Sequence, residues 1–416
     1  MQNSKESDFI NFLRERAQVE QLLFEEAPED AESNRVFKFS FMACGVFTCE
    51  IDVILKTLVE DEELMDLLFS FLEPNHPHSS LLAGYFSKVV VCLMLRKTVS
   101  LMNYVQAHQD VFWQLVDLIG ITSIMEVLIR LVGADDHIYP NFMYVMEWLA
   151  YSNLLEMIVD KLNPSSSPEV HTNTAETLCA ITHNAPSALS VKLSSPSFVE
   201  RIFGHALEDT QSKSGLVDSL SVCISLLDSK RATYSPLIPI NPETVSAMLP
   251  KLGDLLKLLN VCSDSKVLST TYGELKPPLG KHRLKIVEFI AVLLRSGNEI
   301  AEKELVSSGA RRRILELFFE YPFHNALHHQ VESNILSCLE SKDNTVVDHL
   351  LNDCDVVGKI PQADQSPILS GDSDPPTSCS TGKQVPRTGN FGHITRISNS
   401  LIQLGNGSSR TQAYLQ

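Results

Sequence analysis

Between Leu81 and Gly133 the chain reads LLAGYFSKVVVCLMLRKTVSLMNYVQAHQDVFWQLVDLIGITSIMEVLIRLVG, and this stretch narrows the folds open to it more than any other. Its apolar residues recur at helical spacing, and turn residues interrupt them at short intervals. Ile124, Val127, Leu128 and Leu131 stand at i, i+3, i+4 and i+7, one face of a helix. Val89 to Leu95 is apolar all round, so that helix is expected to be buried on most sides. Short helices in series, each with a face it cannot cover alone, must stack on their neighbours.

The same periodicity continues along the chain. Leu216, Leu220, Cys223 and Leu227 mark one face; Leu284, Val287, Ala291 and Leu294 mark another, which Ile286, Phe289, Ile290 and Leu293 widen towards full burial. Ser123 with Glu126, and Ser197 with Glu200 just after Pro196, have the spacing of capping boxes and predict helix starts. Breaks at 28–34, 73–80, 133–137, 163–168, 229–242 and 263–280 separate roughly eighteen helices of ordinary length. No strand-like alternation is long enough to build a sheet. The expected fold class is all-α, an α-solenoid of irregular HEAT/armadillo-like helical pairs, with no strict ankyrin or tetratricopeptide consensus. Its repeat period is not readable from the residues.

Residues 1–360 form this helical-repeat region. Residues 361–389 are rich in Pro, Ser, Gly and Asp and poor in apolar side chains, so they cannot offset the cost of ordering their backbone and are expected to be a disordered linker. Residues 390–404 regain an apolar face through Ile394, Ile397, Leu401 and Leu404, predicting a helix that docks back on the solenoid. Residues 405–416 read as a frayed tail.

Composition excludes several functions. With 416 residues, 44% hydrophobic and 20% charged, the chain is ordinary for a folded protein, but its formal net charge is −17. That excess opposes nucleic-acid binding and docking on an anionic membrane. The nine cysteines are odd in number, contain no Cys-x-x-Cys and mostly lie in apolar helical patterns. They read as buried thiols of a reducing compartment. The polar N-terminus is no signal peptide, and no apolar run is long enough to span a bilayer. The expected location is the cytoplasm, with the nucleus also open.

Chemistry-bearing patterns are few. His324, His328 and Glu332 lie at i, i+4 and i+8 with His329 alongside, a spacing that two-histidine zinc sites use on one helix face. No further Cys or Asp completes the set, and a solvated helix face explains it better, so no metal is expected. Gly-rich phosphate loops, Gly-x-Ser-x-Gly and His-Glu-x-x-His are absent from the sequence. Asp61, Glu62 and Glu63 suit a helix start. Cys49 and Cys92 read as structural thiols rather than nucleophiles. The run Glu25, Glu26, Glu29, Asp30 and Glu32 reads as a solvated loop. Two basic clusters, Lys281, His282, Arg283 and Lys285, and Arg311, Arg312 and Arg313, are either solvated helix ends or contacts for an acidic partner. The same two readings apply to Lys88, Arg96 and Lys97. No catalytic residue and no cofactor is expected.

The segments GYFSKV, LMLRKT and GITSIMEVLIRLVG resemble the SAPS-domain family, regulatory subunits of protein phosphatase 6. So do FLRERAQVEQLL, ACGVFTCEIDVILKTLVEDEELMDLLFSFLEP, SLSVCISLLDSKR, PPLGKHRLKIVEFIAVLL, ILELFFEYPFHNALHHQVE and GNFGHITRISNSLI, in the family's order and spacing. The wording around FTCEIDVILKTLVEDEELM is most similar to plant members. The resemblance implies a chain that is not an enzyme. It implies a scaffold that binds the catalytic subunit of a protein phosphatase 6-type enzyme and helps direct it to substrates, in a complex that ankyrin-repeat subunits can join. It also implies a member shortened at both ends, without the family's longer acidic, leucine-rich opening or its long polar C-terminal region. No short motif of the family defines the phosphatase contact. Lys88, Arg96, Lys97, Lys281, Arg283, His393 and Arg396 are therefore taken as partner-binding candidates, on the expectation that they are exposed charges beside the recognised segments. The rival from another class is a helical-repeat adaptor in transport or trafficking, since fold alone does not fix function.

Overall fold

A computed structural model describes residues 38–75, 78–133, 142–183, 187–208, 213–229, 239–260, 267–271, 273–341, 343–365, 377–379 and 388–407. FLRERAQVEQLL and the acidic run from Glu25 to Glu32 lie outside the described residues. The described helices are α1 (Lys38–Phe47), α2 (Asp52–Glu60), α3 (Glu62–Phe69), α4 (Ser80–Arg96), α5 (Thr98–Ala107), α6 (Asp110–Asp117), α7 (Thr122–Leu131), α8 (Phe142–Tyr151), α9 (Leu154–Asp160), α10 (Pro168–His183) and α11 (Ala188–Leu193). Then come α12 (Pro196–Glu208), α13 (Ser214–Leu227), α14 (Pro242–Met248), α15 (Leu252–Asn260), α16 (Gly280–Arg295), α17 (Glu299–Ser307), α18 (Ala310–Glu320), α19 (Asn325–Leu339), α20 (Asn344–Asp348), α21 (Val356–Gln365) and α22 (Phe391–Gly407).

The helices fall into two compact units, α1 to α11 and α12 to α22, so the segment read from sequence as one helical region is shared between them. Each unit is built of helices stacked like a segment of solenoid, the second with three very short strands besides. In the first unit α4 touches α1 and α7, and α7 touches α10. In the second, α13 touches α16, α16 touches α19, and α19 touches α22. Every third helix thus forms the spine of its unit, a three-helix repeat of armadillo type. The spine helices begin at Lys38, Ser80, Thr122 and Pro168, and at Ser214, Gly280, Asn325 and Phe391, intervals of 42 to 66 residues. The first unit keeps near the usual armadillo spacing of about 40–47. Long connections in the second unit are what hide the period in the sequence.

The apolar faces read from sequence are buried: Ile124, Val127, Leu128 and Leu131 on α7, Leu216, Leu220, Cys223 and Leu227 on α13, and Ile286, Phe289, Ile290 and Leu293 on α16. Phe69, Phe71, Phe86 and Tyr104 join α3, its exit turn, α4 and α5 in one aromatic cluster, with ring centroids 5.0–5.8 Å apart. Stacked and edge-on pairs of this kind add to area burial.

Helix starts differ from the expected capping boxes. Ser123 and Ser197 already lie inside α7 and α12, one residue past each first helical position. Side-chain caps that do form among the described residues include Ser79, accepting from Leu82 N, Asn241 from Glu243 N, Asn298 from Ile300 N and Ala301 N, and Asp343 from Thr345 N. Each oxygen satisfies an amide that the helix leaves unpaired. The described helices are also more numerous than expected, because apolar segments break at single residues that no turn cluster marks. Lys97, with φ −134° and ψ 38°, ends α4 and opens α5 inside LMLRKTVSLM. At Gly309 the backbone takes φ 72°, a left-handed turn that suits glycine, and the next helix starts at once.

Three very short strands pair antiparallel in the second unit: β1 (Leu268–Ser269), β2 (Gly273–Leu275) and β3 (Thr377–Cys379), in the order β1-β2-β3. Runs of two and three residues leave no alternation to read in a sequence. Of the 361–389 segment, 361–365 complete α21, β3 is the short strand above, and 366–376 and 380–387 lie outside the described residues. Of the expected tail, 405–407 end α22 and 408–416 lie outside the described residues.

Candidate partner-binding surfaces

The seven candidate residues fall into three places. In the first unit, α4 carries Lys88 on its exposed side and ends at Arg96. A cation in the last turn complements the helix dipole. Arg96 also pairs with Glu50, and Lys97 Nζ lies 2.6 Å from Asp52 Oδ1 at the start of α2. That hydrogen bond and the ammonium beside it hold the Asp52 carboxyl below the usual range. Arg96 and Lys97 therefore already fasten the end of α4 to the start of α2. Lys88 has no ion pair of that kind among the described residues and is the most available charge of the three.

At the start of α16, Lys281 is exposed but Arg283 is buried, with 2% of its surface accessible. The expectation that Arg283 faces solvent is corrected here. Its Nε donates to Leu279 O at 2.7 Å, and its Nη2 to Pro278 O at 2.7 Å and Tyr321 Oη at 3.1 Å. Tyr321 Oη in turn donates to Pro277 O at 2.8 Å. The guanidinium is spent on the Pro-Pro-Leu turn that leads into α16. Beside it, His282 Nε2 lies 3.4 Å from Lys213 Nζ. Burial first, then the charges of Lys213 and Arg283, push the His282 imidazole down from 6.5 to about 4.

This depression predicts a pH response. Folded His282 holds a proton less tightly than the unfolded chain does, so stability rises with pH in that window. The contribution is complete above about 6.5 and shrinks as pH falls towards about 4. His282→Gln should flatten the dependence of the urea unfolding midpoint on pH between those values. An unchanged slope would remove His282 as its source.

The arginine run 311–313 is also engaged by the fold, though only Arg311 is buried and Arg312 stays exposed. Arg311 is buried and reaches Val346 O and Glu302 O, both at 3.4 Å, Arg312 donates to Asp353 O at 2.8 Å, and Arg313 grips Glu320 and Glu316. The reading as a solvated helix end fails for Arg311 and holds for the exposed Arg312. Glu302, Val346 and Asp353 come from other turns and helices, which no local pattern signals, whereas Glu316 and Glu320 lie on α18 itself, three and seven residues on from Arg313.

The third place is the contact of α22 with α19. His393 is buried, with 7% accessible, which corrects its expected exposure; Arg396 is exposed but touches Glu332 Oε1 through Nη1 at 3.3 Å. The histidines considered for zinc do not gather as their spacing suggested. His324 caps α19 by accepting from Leu327 N, and buried His328 donates from Nε2 to Tyr321 O at 2.8 Å. Burial pushes both imidazoles down. The group that does converge is His329, Glu332 and His393.

Cys92 is buried, and its thiol is pushed up by that burial and by Glu50, the opposite of an activated nucleophile. A groove beside α17, α19 and α20 is lined by Arg295, Glu302, Glu340 and Asp343 among others. Asp343 accepts from Thr345 Oγ1 and N, which holds its carboxyl low, and this is its helix-capping work. Among the described residues, no helix is long and apolar enough to cross a membrane.

Stacked helices whose buried charges serve their own packing, with isolated cations left on the outside, define a helical-repeat protein. The chain belongs to the SAPS family, described as SIT4 phosphatase-associated protein, which it matches over residues 90–309 and 302–413. It is 27% identical to serine/threonine-protein phosphatase 6 regulatory subunit 3 of Gallus gallus over 94% of this chain and 49% of that protein. It is 29% identical to regulatory subunit 1 of Homo sapiens over 91% of this chain and 47% of that protein. The extragenic suppressor of kinetochore protein 1 of Schizosaccharomyces pombe is 25% identical over 70% of this chain and 38% of that protein. The chain spans about half the length of the phosphatase-subunit relatives it matches.

Proposed function

We propose that this chain is a non-catalytic regulatory subunit that binds the catalytic subunit of a protein phosphatase 6-type serine/threonine phosphatase and helps direct it to substrates. The observation that carries this reading is the family match across residues 90–413, joined to relatives named as regulatory subunits of that phosphatase over more than nine-tenths of this chain. Stacked helices suit the work, because an extended repeat surface can engage two proteins together. A stable contact needs about 1,200–2,000 Å² of buried surface in total. Ankyrin-repeat subunits belong to the same proposal as a third component. The net charge of −17 speaks against nucleic acid and anionic membrane as partners. Cytoplasm, with access to the nucleus, is the proposed location.

Co-purification with the catalytic subunit is the test, with a full-length relative as positive control. Capture of the catalytic subunit supports the reading. Failure beside a working control removes it, and recovery of cargo or coat proteins without phosphatase favours the transport adaptor. Lys88 and Lys281 are the exposed cations best placed to contribute. The double variant Lys88→Glu, Lys281→Glu should slow association on the order of tenfold at low salt, with the effect fading as salt rises. An unchanged association rate would place the contact elsewhere on the chain.

A further inference from the structure

We infer that His329, Glu332 and His393 form a zinc-binding site that ties α22 to α19. Asn325, His329 and Glu332 lie at i, i+4 and i+7 of α19, on one side of the helix. Against that side α22 lays His393 and Arg396, and donor atoms of His329, Glu332 and His393 all lie within 4.8 Å of one another.

The hydrogen-bond pattern argues for a cation at this point. His393 Nε2 is 3.0 Å from Asn325 Oδ1, an acceptor, so Nε2 carries the ring hydrogen. The neutral ring then turns the lone pair of Nδ1 towards Glu332 Oε2, 2.5 Å away. Two acceptors face to face need something electropositive between them, either a second ring proton or a metal ion. The surroundings are those of a metal ligand. A ligating histidine usually gives its other N–H to an oxygen, which orients the ring, and a ligating carboxylate is itself hydrogen-bonded. Here Asn325 takes the first role, and Arg396 on Glu332 Oε1 takes the second.

His329 supplies the third donor. Its ring stands edge-on to His393, with centroids 4.6 Å apart, and it is exposed. Two imidazoles and one carboxylate are a zinc donor set; magnesium and calcium prefer oxygen alone. Binding requires Nδ1 and Oε2 to part slightly, so that each reaches the ion at about 2.0–2.2 Å. Three protein ligands leave a fourth position, which the exposure of His329 places at the solvent side for water or for a donor from another molecule. The site lies beyond the spacing read from sequence, because His393 comes from a helix 61 residues after Glu332.

The test uses the full chain freed of metal by chelator and titrated with zinc chloride and cobalt chloride, and needs no phosphatase. One equivalent of zinc by calorimetry, tetrahedral cobalt absorption bands and a higher unfolding midpoint with zinc are expected. His329→Ala changes an exposed residue and spares the fold. It should weaken zinc at least about tenfold, since even loss of an outer partner costs that much. Asn325→Ala should weaken it comparably. His183→Gln, at an exposed histidine on α10 of the first unit, should change nothing. Absence of stoichiometric binding, unchanged affinity in His329→Ala, or loss of binding in His183→Gln would each overturn the site and leave a shared proton between His393 and Glu332.

Discussion

Phe289→Ala is expected to destabilise the second unit by about 3–5 kcal/mol, the usual cost of emptying a large aromatic site in a core. Phe289 is fully buried on α16, and its ring meets that of Phe203 on α12 edge-on, with centroids 5.7 Å apart and planes at 67°. The helix touches both α13 and α19, so the vacated space lies in the spine of the unit and cannot collapse without moving three helices. Phe289→Leu keeps most of the volume and should cost less than about 1.5 kcal/mol. Both tryptophans, Trp113 and Trp148, lie in the first unit. Their fluorescence therefore reads that unit, while hydrogen-exchange protection of α16 reads the second. A loss below about 1 kcal/mol in α16 protection for Phe289→Ala would mean that α12 and α16 do not pack as described.

Arg283→Ala is the second large effect, expected near 3 kcal/mol. Three charge-assisted bonds, to Leu279 O, Pro278 O and Tyr321 Oη, disappear together. Each such bond contributes about 1.5–3 kcal/mol, and acceptors left buried without a donor add a penalty. Relief from burying a cation offsets part of the loss. The guanidinium also lies against the Tyr321 ring, 5.7 Å from its centroid. Lysine keeps the charge but cannot fork to three acceptors, so Arg283→Lys should be as damaging as alanine. Exchange protection at the start of α16 distinguishes these outcomes. Full rescue by lysine would show that charge alone, and not the planar fork, holds the turn before α16.

These two residues show how unevenly the sequence could be read. Phe289 belongs to a pattern of apolar positions, and its burial follows from that pattern. Arg283 sits in GKHRLK among other basic residues, and in the linear text it is one of several surface charges. Nothing local announces that Tyr321, 38 residues on, and the turn at Pro277 to Leu279 close around it. Arg311 and His393 were misread for the same reason: Arg311 finds Val346 35 residues away, and His393 finds Glu332 and Asn325 61 and 68 residues away. Lys88 and Lys281 required no such knowledge and are where a solvated charge was expected. The capping boxes failed differently. Ser-x-x-Glu is compatible with a helix start, yet at α7 and α12 the chain entered the helix one residue earlier.

Side-chain periodicity is a local property, set by 3.6 residues per turn, and so the run of amphipathic helices and the faces they bury were determined by the order of residues alone. Family membership could be recognised there for the same reason, since its segments are contiguous. The pairing of every third helix, the inward turn of Arg283, Arg311 and His393, and the convergence of His329, Glu332 and His393 were decided only on folding. Each includes at least one partner brought in across tens of residues. A polar side chain goes inside only where distant acceptors replace the water it gives up.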